Sequence, residues 1–139
     1  MSSFRSRPIN VGEPAPSAQS GRMRPVLIVE DNSLISSLMA DEIRELGFSV
    51  VGPAGSLREA LGLARTEDLD AAMVDIGLGA ENSFAVAQVL SDRTIPFAFT
   101  TGSNELPETQ FRDVPVLLKP FGTAGLRRTL ADLLGQPSD

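Results

Sequence analysis

The sequence predicts an α/β chain, a doubly wound parallel sheet with helices on both of its faces. Three observations carry that expectation. Five short apolar runs alternate with segments of helical periodicity. The runs are apolar on both faces, as strands covered from both sides must be. The polar residues that interrupt them all fall at their carboxyl ends, where sites of such sheets are built. A chain of 139 residues is long enough for one such core and too short for two ordinary domains.

Val26-Leu27-Ile28-Val29 reads as a buried strand, stopped by Glu30-Asp31. Ile35, Leu38, Met39, Ile43 and Leu46 then recur at helical spacing, with Asn32 or Ser33 as cap and Gly47 as stop. Phe48 to Pro53 is a second strand, and Ser56-Leu57-Arg58-Glu59 matches a capping box opening a helix to about Thr66. Ala71-Ala72-Met73-Val74 is a third strand ending on Asp75, and a loop with Gly77 and Gly79 leads to a helix over Ser83 to Leu90. Pro96 to Thr100 is the fourth strand, and Asn104 to Phe111 a weak helix with Pro107 near its start. Val114 to Leu118 is the fifth strand, running into Lys119-Pro120. Leu126, Leu130, Leu133 and Leu134 mark a last helix, closed by Gly135 and Pro137. Phe97, Phe99 and Phe111 read as core.

Composition narrows the function. The chain has no Cys and no His, which excludes disulfides, thiolate zinc sites and a phosphohistidine carrier. Residues 1–24 carry four arginines against Glu13, a net +3, and residues 25–139 carry −9. An acidic body argues against direct contact with nucleic acid. The Ser- and Pro-rich leader, residues 1–23, reads as a disordered tail, 24–135 as the domain and 136–139 as a short C-terminal tail. No apolar run reaches membrane-spanning length, so no membrane insertion is expected and the location is expected to be cytoplasmic.

Four strand ends deliver Glu30 and Asp31, Asp75, the Thr100-Thr101 pair and Lys119 to one edge. Three carboxylates there repel one another, and a hard cation such as Mg²⁺ compensates them through oxygen ligands. A lysine fixes a phosphoryl oxygen, a hydroxyl donates to another, and a carboxylate is a competent nucleophile toward phosphorus. Such a site works by positioning and charge neutralisation, without a histidine base. Thr100 and Thr101 compete for the hydroxyl role, and Gly102 directly after favours Thr101. Taken singly, Glu30-Asp31 could be a helix N-terminal charge pair, Asp75 a turn residue and Lys119 a solvated charge; their occurrence together favours a site.

These residues resemble the receiver domains of response regulators. The resemblance covers about Arg24 to Leu134 and rests on Val-Leu-Ile-Val-Glu30-Asp31-Asn, Met-Val-Asp75, Thr101-Gly102 and Leu-Leu-Lys119-Pro120-Phe121, in that order. It implies a flavodoxin-like (βα)5 sheet of order 2-1-3-4-5. It further implies Asp75 as phosphoacceptor, and Mg²⁺ held by Glu30, Asp31, Asp75 and the backbone carbonyl of Gly77. Thr101 would be the switch hydroxyl, Gly102 its neighbour, and Lys119 the phosphoryl partner, with a cis bond to Pro120. A sensor histidine kinase or a histidine phosphotransfer protein would be the phosphodonor. A downstream protein would read the surface near Val116 and Phe121. The chain would act as a stand-alone phosphoacceptor promoting its own phosphoryl transfer and dephosphorylation, and otherwise not as an enzyme.

A narrower resemblance, through Ile95-Pro-Phe-Ala-Phe-Thr-Thr-Gly102 and Val116-Leu-Leu-Lys-Pro-Phe121, is to alphaproteobacterial single-domain receivers paired with HWE-type histidine kinases. It departs in two places: Asn104 stands where stress-response members have tyrosine, and Val116 replaces the usual aromatic. Valine's single stiff torsion gives it no comparable sweep, so switching is expected to pass through the backbone between Gly102 and Phe111. For Phe121, packing and a partner-facing role remain open alternatives.

Three rival functions call for different residues. A flavin mononucleotide carrier would need a Ser/Thr/Gly-rich loop where Glu30-Asp31 stands. An aspartate-dependent phosphohydrolase would need an acid at Gly77. A pseudo-receiver, binding partners without phosphorylation, would have lost an acid or the lysine, and none is lost; it stays the alternative because Val116 replaces the usual switch aromatic.

Overall fold

The computed structural model describes residues 23–102 and 107–135. The tails expected at 1–23 and 136–139 thus lie outside the described residues, apart from Met23.

Strand β1 is Pro25–Val29, β2 Ser49–Ala54, β3 Ala71–Asp75, β6 Phe97–Thr101 and β7 Val116–Leu118. They form one sheet of order β2-β1-β3-β6-β7, and all its pairings are parallel. This is the expected 2-1-3-4-5 order, renumbered because two short strands intervene. Those strands, β4 (Gly77–Leu78) and β5 (Glu81–Asn82), pair antiparallel. The loop expected after Asp75 is therefore a small hairpin, turned at Gly79 with φ +63, a conformation that favours glycine.

Helix α1 spans Ser33–Glu45, α2 Leu57–Thr66, α3 Phe84–Asp92 and α4 Thr123–Leu134. Of the two candidate caps for α1 the structure uses Asn32, whose side chain accepts from the N–H groups of Leu34 and Ile35. The capping box of α2 forms with a displaced return arm. Ser56 Oγ accepts from the Glu59 N–H, while Glu59 reaches back to the N–H of Gly55 rather than that of Ser56. Gly135, at φ +68, ends α4.

The weak helix expected over Asn104 to Phe111 is corrected. Residues 103–106 lie outside the described residues, and the rest holds only a 3₁₀ turn, Thr109–Phe111. Pro107 brings no N–H, and Phe111 is the one buried side chain of that turn. One apolar contact does not support the costly nucleation of a longer helix. Among the described residues the architecture is therefore five sheet strands, four α-helices and a 3₁₀ turn, with the separate hairpin. The last strand is also shorter than expected, starting at Val116 rather than Val114.

Side-chain alternation splits the core into two faces. Leu27, Val29, Ala72, Val74, Phe97 and Phe99 pack with α2, α3 and Phe111. Val26, Ile28, Ala71, Met73 and Ala98 pack with α1 and α4. On the first face Phe84 and Phe97 each meet Phe99 and Phe111, which also meet each other, with ring centroids 5.5–6.2 Å apart. Such pairs contribute about 0.5–1.5 kcal/mol each beyond their burial. Among the described residues no helix is long and apolar enough to cross a membrane.

Candidate functional site

The site forms because β1, β3, β6 and β7 run parallel and end at one edge. Glu30 extends β1 by one residue, its N–H donating to the Ala54 carbonyl at 2.9 Å, before Asn32 turns the chain into α1. Its carboxylate is buried, at 2% exposure. Oε2 accepts from the Asn32 N–H at 3.0 Å, and Oε1 meets Lys119 Nζ at 2.6 Å. Asp31 is exposed, and its Oδ2 accepts from the N–H of Gly79 at 2.9 Å. The hairpin after β3 thus reaches across to orient the acid after β1.

Asp75 ends β3 at 7% exposure, and its Oδ2 accepts from Lys119 Nζ at 3.0 Å. The Lys119 N–H donates to the Thr101 carbonyl at 2.8 Å, which fixes where its side chain begins. Its stem then crosses Gly102, where an added Cβ would lie 3.6 Å from Lys119 Cδ. The Lys119–Pro120 bond is cis, as the resemblance implied; so is Gly52–Pro53, which no sequence expectation covered.

Burial pushes the Asp75 carboxyl up; the hydrogen bond from Lys119 opposes this and the Glu30 charge adds to it, leaving a value of about 6. For Lys119, burial lowers the value, but hydrogen bonds to Glu30 and Asp75 outweigh it and the ammonium is held above its ordinary range. One cation thus faces two acids, Glu30 and Asp75.

Carboxylate oxygens of Glu30, Asp31 and Asp75 lie within 4.8 Å of one another. This donor set is all oxygen, in a chain with no Cys or His, and fits a hard divalent ion such as Mg²⁺ rather than a soft one. Gly77 stands two residues past Asp75, at the same edge.

The structure brings Glu30, Asp31, Asp75 and Lys119 to one edge. Sequence reasoning missed the Gly79 N–H, although the paired glycines after Asp75 signalled a special turn. It did not separate the two threonines by face. Thr101 follows the alternation of Phe97 and Phe99, toward α2 and α3. Thr100 is paired in register with Asp75 and lies on the face of Ala98. Val116 is 38% exposed on the edge strand. Phe121 packs against the α1–α4 side of the core. It also lines an open groove of about 710 Å³ beside Lys119, with Ile35, Leu38 and Met39. Phe121 therefore packs, as one alternative had it, and also borders open space.

Comparison with known proteins agrees with this geometry. Residues 26–131 match the family model for the response regulator receiver domain. The solution structure of SdrG from Sphingomonas melonis Fr1 superposes with a TM-score of 0.73 at 39% identity, covering 83% of this chain and 98% of that one. The receiver domain of the PhyR response regulator from Erythrobacter litoralis gives a TM-score of 0.69 at 26% identity, covering 85% and 95%. The transcriptional regulatory protein PdtaR of Mycobacterium tuberculosis is 30% identical over 118 residues, covering 81% of this chain. The chain spans 58% of that relative's length. Sheet order, clustered acids and the family match lead to one conclusion: this chain belongs to the response regulator receiver domain family, the receivers of two-component signalling.

Proposed function

We propose that the chain accepts a phosphoryl group on Asp75 from a histidine of a sensor kinase or of a phosphotransfer protein. The observation that carries this reading is the placement of Asp75. Its carboxylate ends the central strand 3.0 Å from Lys119 Nζ and within 4.8 Å of the Glu30 and Asp31 oxygens. An Asp75 oxygen attacks phosphorus as the bond to the donor imidazole nitrogen breaks; that nitrogen leaves with the bonding electron pair, and the proton already on the ring's other nitrogen makes the leaving group a neutral imidazole. Glu30, Asp31, Asp75 and the Gly77 carbonyl would hold Mg²⁺, which supplies charge neutralisation at the phosphoryl oxygens. Lys119 meets one of those oxygens, and the Thr101 hydroxyl, beside Gly102, follows another as the switch. Hydrolysis of the aspartyl phosphate returns the site to rest, so the chain acts on itself and on no separate substrate.

A donor histidine reaches Asp75 only if its helix docks beside the site. The groove lined by Ile35, Leu38, Met39 and Phe121 borders Lys119 and offers an apolar seat, with Leu38 58% exposed. The downstream protein would read the Val116 and Phe121 side. The Ile95 to Gly102 pattern favours an HWE-type kinase as donor, with a cytoplasmic location. Residues 24–135 would act as the receiver unit, with 1–23 and 136–139 as tails.

The test is labelling by a kinase or a small phosphodonor with Mg²⁺. Asp75→Asn, nearly isosteric, is expected to abolish labelling while keeping the fold. Asp31→Ala should weaken Mg²⁺ binding, whereas Lys119→Ala should weaken the response to beryllium fluoride, because an ammonium meets only anions. Labelling that persists in Asp75→Asn overturns the assignment. A folded parent that neither labels nor responds to beryllium fluoride with Mg²⁺ is instead a pseudo-receiver, a partner-binding module independent of phosphorylation.

A further inference from the structure

Thr100 is 1% exposed, and its Oγ1 is buried without a hydrogen-bond partner. A valine has the same shape and would leave no hydroxyl unsatisfied, so the resting state gives no reason for threonine here. The register supplies one. Thr100 pairs laterally with Asp75 on one side and Leu117 on the other, on the face shared with Ala98. Two residues later on that same face is Gly102, and the Lys119 stem crosses it. The Thr100 hydroxyl thus lies in the row beside the phosphoacceptor, under the path of the lysine. At rest the Lys119 ammonium meets Glu30 at 2.6 Å and Asp75 at 3.0 Å.

We propose that Thr100 is a positioning residue whose hydroxyl accepts from Lys119 Nζ when Glu30 turns to the metal. An ammonium has three donors. Losing the Glu30 contact frees one of them and leaves the side chain able to drift from Asp75. A hydroxyl next to Asp75 recaptures it without adding a charge that would compete for the phosphoryl group. The orphaned hydroxyl of the resting state is then the partner that the metal-bound state uses. The inference rests on the phosphoacceptor reading and adds to it a second hydroxyl, distinct from the switch role of Thr101.

The test compares Thr100→Val, Thr100→Ser and the parent. Three readouts serve: melting temperature without metal, affinity for beryllium fluoride with Mg²⁺ by NMR, and the ¹⁵N signal of Lys119 Nζ. Thr100→Val should melt no lower than the parent without metal. Its beryllium fluoride affinity should drop about tenfold, the usual weight of one such hydrogen bond, and the Nζ signal should broaden. Thr100→Ser should restore both. Parent-like affinity and Nζ signal in Thr100→Val would overturn the proposal. So would failure of Thr100→Ser alongside Thr100→Val, since a hydroxyl at this position would then not be what restores the lysine. A parent that binds no beryllium fluoride at all removes the phosphoacceptor reading itself, and is told apart from these outcomes by the parent measurement.

Discussion

The two flanks of Asp75 are built differently. On the β1 side both acids are held by backbone groups: Glu30 by the Asn32 N–H and Asp31 by the Gly79 N–H. On the β7 side the strand is three residues long, Val116 and Leu118 are 38% and 64% exposed, and the link from β6 contains only a 3₁₀ turn among its described residues. One flank is fixed for chemistry, where small displacements weaken charge neutralisation. The other has few buried contacts, as a segment that must change its arrangement does. The acids thus stand on the closely held flank, and Lys119 reaches them from the sparsely packed one.

The largest effect expected from breaking this contrast is at Phe111, the one buried anchor of the 3₁₀ turn, 4% exposed and in ring contact with Phe84, Phe97 and Phe99. Phe111→Ala should cost about 3–5 kcal/mol of stability, while Mg²⁺ titration of the folded protein stays parent-like. Denaturant melts and the titration check this. A parallel loss of Mg²⁺ affinity would show that the two flanks are not separable.

An intermediate effect concerns pH. Folding raises Asp75 from 3.8 to about 6. Between those values the folded state keeps a proton that the unfolded chain has released, so metal-free stability falls as pH rises through that window. Asp75→Asn removes the titrating group. Its melting temperature should gain on the parent's as pH goes from below 4 to above 6, and Mg²⁺, which favours the ionised carboxylate, should shrink that gain. Melts at the two pH values with and without Mg²⁺ decide it; a gap independent of pH would mean that Asp75 is already fully compensated.

The smallest effect is expected at Gly102. An added Cβ meets Lys119 Cδ at 3.6 Å and Cβ at 3.8 Å, ordinary contacts, and the glycine is not among those with positive φ. Gly102→Ala should change stability by less than about 0.5 kcal/mol. A loss of several times that would place the lysine stem nearer the backbone and make this flank as tightly built as the other.

The sequence alone determined the strand order's ingredients and most of the site. Continuous apolar runs such as Val26 to Val29 and Ala71 to Val74 are a local signal of doubly covered strands, and an acid or lysine that ends such a run announces itself. Asp75 and Lys119 were legible for that reason, as were the caps at Ser56 and Gly135. Only the tertiary structure decided what depends on contacts between distant segments. Among its described residues, 107–111, the expected fourth helix is only a 3₁₀ turn, because neighbours, not propensity, must stabilise so short an element, and there Phe111 alone is buried. The hairpin of β4 and β5 and its bond to Asp31 join segments 48 residues apart. The two adjacent threonines carry the same side chain, and no composition rule assigns them to opposite faces. Sheet register does that, because each residue along a strand reverses the direction of its side chain, and register is set by pairing with Asp75 across the sheet.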